Sequence, residues 1–283
     1  MTMKFDDKTP DWTQGYYQDE APARTAAKAF SSTRPGAKHA ALLIHGYAGY
    51  PGEMIRVGRE LFEEGFDVHA PRLPGNGTSG RDFQKSRAKD WIGTLRNAMD
   101  DLTKRYDDVL IVGHSMGGAL AVTLGKEYSV SNVILIAPGL LIPFIPVFKL
   151  RLIAPFIKKI AVSWQPDPEY TFHYESEEDD DRYFGEQYWS WAFPKTLLEL
   201  EKVRKEAVSN LSDLKSNTLL ITGGKDPLIP YDVVALVKEK IQGPFTHLHL
   251  EEAGHYIPYD KNKDAQEEAY RGMREFVRKA YSV

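Results

Sequence analysis

Short apolar runs alternate with stretches of helical spacing along most of the chain. Runs over 40–47, 109–112, 132–138 and 217–224 are near-continuous in Val, Ile, Leu and Ala, the pattern of strands buried on both faces. Stretches 66–73 and 246–250 add two further strands. Helical spacing fills the intervals. In 53–64, Met54, Val57, Leu61 and Phe62 share one face and Gly65 stops the helix; 88–106, 119–128, 231–240 and 263–281 follow. Such alternation predicts a mostly parallel sheet with helices on both faces. Residues 1–38 are polar and proline-containing, a surface segment with one short strand over 29–33 and a turn at Arg34-Pro35-Gly36.

The rhythm stops at Gly139 and resumes at Asn217. Residues 139–207 are aromatic-rich, helical in places and without a further buried strand. The pattern predicts one core, residues 1–138 and 208–283, interrupted by an inserted cap, residues 139–207, rather than two sequential domains. The apolar stretch 136–164 is broken by Pro138, Pro143, Pro146 and Pro155 and carries Lys149, Arg151, Lys158 and Lys159. A bilayer-spanning helix needs about 20 predominantly apolar residues, so no stable membrane insertion is expected. The acidic run 175–181 is expected to be an exposed cap loop, because so many like charges resist burial together.

Composition changes this picture little. A chain of 283 residues buries a sizeable core in one α/β domain with an insertion. Net charge of -4 argues against a nucleic-acid partner, which leaves a basic stripe. The absence of cysteine excludes disulfides, thiolate metal sites and a cysteine nucleophile. Residues 1–11 lack the apolar segment of a signal peptide, so a cytoplasmic enzyme is the default expectation.

The candidate chemistry begins where the run 109–112 ends in Gly113-His114-Ser115-Met116-Gly117-Gly118. A lone G-x-S-x-G also fits an ordinary strand-to-helix turn. Here an apolar strand precedes it and a helix rich in small residues follows, the context of a nucleophile elbow. Gly113 and Gly117 lack the Cβ that would keep strand and helix apart, and Ser115 takes a strained backbone conformation that pushes its Oγ outward. The glycine-rich loop 74–80 lacks a following Lys-Ser/Thr and any G-x-G-x-x-G, so it is expected to be a structural turn.

Serine needs a base, and the base an orienting carboxylate, in the chain order Ser, then Asp or Glu, then His. Asp226 follows the strand 217–224 in Gly223-Gly224-Lys225-Asp226-Pro227; Asp213 precedes that strand, and Asp232 suits a helix N-cap. His39, His45, His69 and His114 precede Ser115, and His173 lies in the insertion. His247 and His249 share a strand face and alone make a poor metal site. His255, in Ala253-Gly254-His255 beyond the last strand, meets every requirement. Two N–H donors are needed for a tetrahedral intermediate, and the backbone groups of Met116 and Tyr47 are the candidates. No cofactor or metal is expected.

Together these pieces resemble an α/β-hydrolase of the carboxylesterase and monoacylglycerol lipase branch. The resemblance rests on Leu43-Ile44-His45-Gly46-Tyr47, the stretch 70–78, Gly113-His114-Ser115-Met116-Gly117-Gly118, Gly223-Gly224-Lys225-Asp226 and Ala253-Gly254-His255, in order from residue 40 onward. It implies the α/β-hydrolase fold, a Ser-His-Asp triad, an oxyanion N–H after His-Gly and an inserted cap over an acyl pocket. One departure is Pro-Gly-Asn-Gly, with Asn76 where the family usually has histidine. The expected activity is hydrolysis of a small-molecule ester, either short-to-medium acyl esters or monoacylglycerols. Alternatives are a serine aminopeptidase on the same fold and a non-enzymatic binding protein.

Overall fold

The computed structural model describes residues 27–143, 145–164 and 183–281. Among them, β1 (Phe30–Ser32), β2 (His39–Ile44), β3 (Asp67–Ala70), β4 (Asp108–His114), β5 (Asn132–Ile136), β8 (Asn217–Gly223) and β9 (Phe245–Leu250) form one sheet. Its order is β1-β3-β2-β4-β5-β8-β9. β1 runs antiparallel to β3, and every other neighbouring pair is parallel. The two-residue strands β6 (Ile160–Ala161) and β7 (Trp191–Ala192) pair with each other outside this sheet.

Alternation along the strands builds two apolar layers. Ala40, Leu42 and Ile44 of β2, with Val109 and Ile111 of β4, face one side; Ala41, Leu43, Leu110 and Val112 face the other. Among the described residues the helices include α1 (Ile55–Glu63), α2 (Gly80–Lys85), α3 (Ala88–Arg105) and α4 (Met116–Tyr128). α3, α4, Pro194–Asn210 and Val233–Lys240 cover the first face, while α1 and Lys263–Tyr281 cover the second. Leu42, Leu43 and Ile44 are fully buried, and burial of such side chains stabilises by about 1.5–3 kcal/mol each.

The register sets the working edge. Ile44 lies opposite Gly113, His114 opposite Ile136, Ile136 opposite Ile221, and Gly223 opposite Leu250. The carboxyl ends of β2, β4, β5, β8 and β9 therefore finish together, where open α/β sheets place their sites.

The turn expected over 74–80 is present but leads into an unexpected helix, and one capping expectation needs correction. The loop 74–80 runs into α2, capped by Ser79, whose Oγ accepts the Asp82 N–H at 3.3 Å. Its glycines obscured this Ser-x-x-Asp start. Asp232 does stand at the N-cap of Val233–Lys240 but makes no side-chain cap bond, because its backbone (φ -56°, ψ -17°) is already helical.

The described residues between β5 and β8 have two characters. Phe184, Tyr188 and Phe193 cluster with Tyr50 and Phe83. There Trp189 Nε1–H donates to the Ala48 carbonyl at 2.7 Å, and Gly77 N–H donates to the Tyr188 hydroxyl at 3.3 Å. Residues 145–164 instead expose Phe148 (76%), Leu152 (59%) and Phe156 (86%). Phe144, His173 and the acidic run 175–181 lie outside the described residues. No described helix is long and apolar enough to cross a membrane.

Candidate active site

β4 ends at His114 and α4 begins at Met116, so Ser115 alone makes the turn, at φ 53° and ψ -117°. A non-glycine residue held there costs about 1–3 kcal/mol. Ser115 N–H donates to the Ile136 carbonyl at 2.9 Å, and the Ser115 carbonyl accepts Gly139 N–H at 2.8 Å and Gly118 N–H at 2.9 Å. These bonds fix the strained turn between two strands and a helix. A Cβ on Gly113 would collide with the Gly117 carbonyl oxygen, and one on Gly117 with the Ile44 carbonyl oxygen. The elbow glycines therefore serve two contacts: β4 against α4, and α4 against β2.

Asp226 lies just past β8 and His255 just past β9. His255 Nε2 stands 3.0 Å from Ser115 Oγ, and His255 Nδ1 stands 2.8 Å from Asp226 Oδ2. A carboxylate only accepts, so Nδ1 carries the proton and Nε2 offers its lone pair to the serine hydroxyl. Asp226 Oδ1 accepts the N–H groups of Leu228 at 2.7 Å and Ile229 at 2.9 Å. One carboxylate oxygen thus builds the turn while the other orients the imidazole. The loops are tied together by Lys225 N–H donating to the Ala253 carbonyl at 2.9 Å.

Burial pushes the Asp226 carboxyl up, but the hydrogen bond and charge of His255, with the Ile229 and Leu228 N–H groups, bring it below its ordinary value. Burial also dominates His255 and lowers it. The Asp226 hydrogen bond and charge oppose this without overcoming it, so the imidazole lies below its ordinary value near 6.5. The sequence suggests the opposite sign, a modest rise from Asp226 alone. Desolvation of a nearly enclosed ring reverses it.

The loop after β2 abuts the nucleophile: a Cβ on Gly46 would stand 3.4 Å from Ser115 Cβ. Tyr47 follows directly, its ring edge-on to Phe83 with centroids 5.1 Å apart. Met116 opens α4, and a Cβ on Gly139 would lie 3.4 Å from its nitrogen. The structure thus brings Ser115, Asp226 and His255 into one hydrogen-bonded chain and sets the loops of Tyr47 and Met116 beside it. Among the described residues no group of three His, Cys, Asp or Glu is placed to hold a metal.

Residues 35–262 match the family described as Serine aminopeptidase, S33. The chain belongs to this family. A carboxylesterase from Bacillus subtilis is 23% identical over 254 residues, covering 87% of this chain and 95% of that protein. A thermostable monoacylglycerol lipase from a Bacillus species is 31% identical over 87 residues, which is 31% of this chain and 35% of the lipase. Among solved structures, one from a study of the metagenome-derived lipolytic enzymes LipS and LipT superposes with a TM-score of 0.77 at 23% identity, covering 91% of this chain and 99% of that one. The Paleococcus ferrophilus monoacylglycerol lipase gives 0.66 at 18% identity, covering 85% and 94%. The fold is that of the α/β-hydrolases, and the chain is a hydrolase.

Within this S33 serine aminopeptidase family member, several supporting residues escaped the sequence reading. His45 Nδ1–H donates to the Gly46 carbonyl at 2.9 Å, and Nε2 accepts Leu73 N–H at 3.2 Å. Burial holds that imidazole down at about 4, so it braces the loop as a neutral group. Asp260 Oδ2 accepts Gly254 N–H at 2.7 Å, fixing the loop of His255. Asn76 is fully buried and donates through Nδ2 to the Leu73 and Pro74 carbonyls, both at 3.3 Å, a loop-closing role away from the triad. Elimination by chain order set aside His45 and His114 as bases, and nothing local in the sequence marks the bracing work.

Proposed function

We propose that the protein is a serine carboxylic-ester hydrolase acting on short-to-medium acyl esters or monoacylglycerols through an acyl-enzyme. In this reading Ser115 Oγ attacks the ester carbonyl while His255 Nε2 takes the hydroxyl proton. The imidazolium is stabilised by Asp226, and the backbone N–H groups of Tyr47 and Met116 bind the oxyanion. His255 then protonates the leaving alkoxide, and water repeats the sequence on the acyl-enzyme, releasing the acid. The observation that carries the reading is the hydrogen-bonded chain Ser115–His255–Asp226 at a serine with positive φ.

Residues 139–207 act as the cap in this proposal. Its later part is tied to the loop of Tyr47 through Trp189, and its earlier part presents apolar side chains. The named relatives supply the substrate class. One is a carboxylesterase and the other a monoacylglycerol lipase.

The family description favours a second reading, release of an N-terminal residue from a peptide. That chemistry needs a carboxylate free to hold the substrate ammonium. Among the described residues, the buried Glu53, Asp67, Glu201 and Asp260 each accept hydrogen bonds from the protein itself. Assaying p-nitrophenyl esters of graded chain length beside alanine and proline p-nitroanilides separates the two. The ester reading expects rapid ester cleavage, poor anilide cleavage, and a loss of about 10⁴- to 10⁶-fold in Ser115→Ala. Efficient anilide cleavage would favour the peptidase.

A further inference from the structure

Beneath the elbow lies a second carboxylate and imidazole that the reaction scheme leaves unused. Glu53, from the turn before α1, is 5% exposed, and His114, the last residue of β4, is 1% exposed. Glu53 Oε2 accepts Gly46 N–H at 3.3 Å, in the peptide plane just before Tyr47. His114 Nε2 stands 2.9 Å from the main-chain carbonyl oxygen of His255. A carbonyl oxygen only accepts, so Nε2 carries the proton. His114 Nδ1 then faces inward, buried and without a hydrogen-bond partner, 3.9 Å from Glu53 Oε2.

We propose that Glu53 and His114 are positioning residues for ester hydrolysis. Glu53 clamps the loop that carries the Tyr47 N–H, and His114 clamps the main chain of the base. The two clamps act side by side, with His114 Nδ1 3.9 Å from Glu53 Oε2. The inference rests on the ester-hydrolase reading and deepens it. Such a pair solves a geometric problem: oxyanion donor and base sit on loops from β2 and β9, well apart in the sheet order. A misplacement of about 1 Å at either costs on the order of 100-fold in rate. The charges also reach the base. Burial lowers His255, and the charges of Asp226 and Glu53 oppose it.

The test uses the full chain with four variants, Glu53→Gln, Glu53→Ala, His114→Gln and His114→Leu, beside Ser115→Ala. Measured are kcat and KM for p-nitrophenyl butyrate across pH, together with thermal midpoints. Glu53→Gln keeps an acceptor for Gly46 N–H but loses the charge, so the acid limb of kcat/KM should move to lower pH. Glu53→Ala loses the acceptor as well and should lower kcat further. His114→Leu should lower kcat about 10- to 100-fold with KM within about threefold. His114→Gln, which retains a donor for the His255 carbonyl, should recover most of that loss. An acid limb unmoved in Glu53→Gln would overturn the proposal, as would His114→Gln no better than His114→Leu at equal thermal midpoints. Should His114→Leu fail to fold, the two Gln variants carry the test through the limb and kcat. Turnover surviving in Ser115→Ala would instead remove the underlying ester-hydrolase mechanism, whatever the other variants do.

Discussion

The loops at the carboxyl edge of the sheet and residues 145–164 are held by different forces. At the edge, main-chain turns around Ser115 are pinned by directional bonds and backbone collisions. Ser115 is tied to Ile136 and Gly139, Asp226 to Leu228 and Ile229, and Gly254 to Asp260. Over residues 145–164, Phe148, Leu152 and Phe156 meet solvent. Residues 187–189 side with the edge, because Trp189 bonds the Ala48 carbonyl and Gln187 Oε1 accepts Gly80 N–H at 3.2 Å. Reaction geometry tolerates little movement, and directional bonds supply that constraint. In the proposed ester hydrolase, selection among apolar acyl chains would need only surface, which can vary without disturbing Ser115, His255 and Asp226.

The largest break in this contrast comes from the edge. Asp226→Asn should lower kcat about 10⁴-fold while changing KM only a few-fold, since the amide neither fixes the His255 tautomer nor stabilises the imidazolium. Steady-state kinetics near neutral pH checks this, and near-parental kcat would require another carboxylate as the orienter. Next, Gly117→Ala should destabilise the fold by about 1–3 kcal/mol or more, because its Cβ meets the Ile44 carbonyl of a central strand. Gly93→Ala in α3, where a Cβ meets nothing within 4 Å, should instead stabilise by about 0.5–1 kcal/mol. Denaturant midpoints of the two variants moving the same way would contradict the collision argument.

Smaller effects sharpen the comparison. In the proposed reaction His255 works as the neutral imidazole, and burial lowers it below about 6.5. Protonation removes the lone pair, so kcat/KM should stay level as pH falls to about 6.5 and decline only below that. A limb above this value would mean that Asp226 outweighs burial. Within residues 145–164, Phe156→Ser should alter stability by no more than about 0.5 kcal/mol, as surface changes do. It should shift rates on longer acyl esters while leaving an acetyl ester unchanged. Equal losses on both would indicate damage to the triad or fold.

What the sequence made legible follows the same division. The buried strands were plain from their apolar runs, and the closing helix Lys263–Tyr281 matches its predicted bounds because its spacing is uninterrupted. Ser115, Asp226 and His255, which the structure joins by hydrogen bonds, were singled out by chain order and position after strands, constraints that are local in sequence. Their supports were not. Glu53 meeting Gly46, His114 meeting the His255 carbonyl, and Asp260 meeting Gly254 depend on which loops the sheet order makes neighbours. The sign of the His255 shift was illegible for a related reason. A carboxylate partner is visible in sequence, whereas the enclosure of a ring is a property of the assembled edge.

Covalent labelling tests the central claim most directly. The protein is treated with a serine-directed organophosphate, digested, and the adduct located by mass spectrometry, with Ser115→Ala carried in parallel. The account predicts one adduct per chain, on Ser115, with loss of ester hydrolysis in proportion to labelling and no adduct in the variant. Labelling at another residue, or full labelling of Ser115 with ester hydrolysis intact, would contradict it.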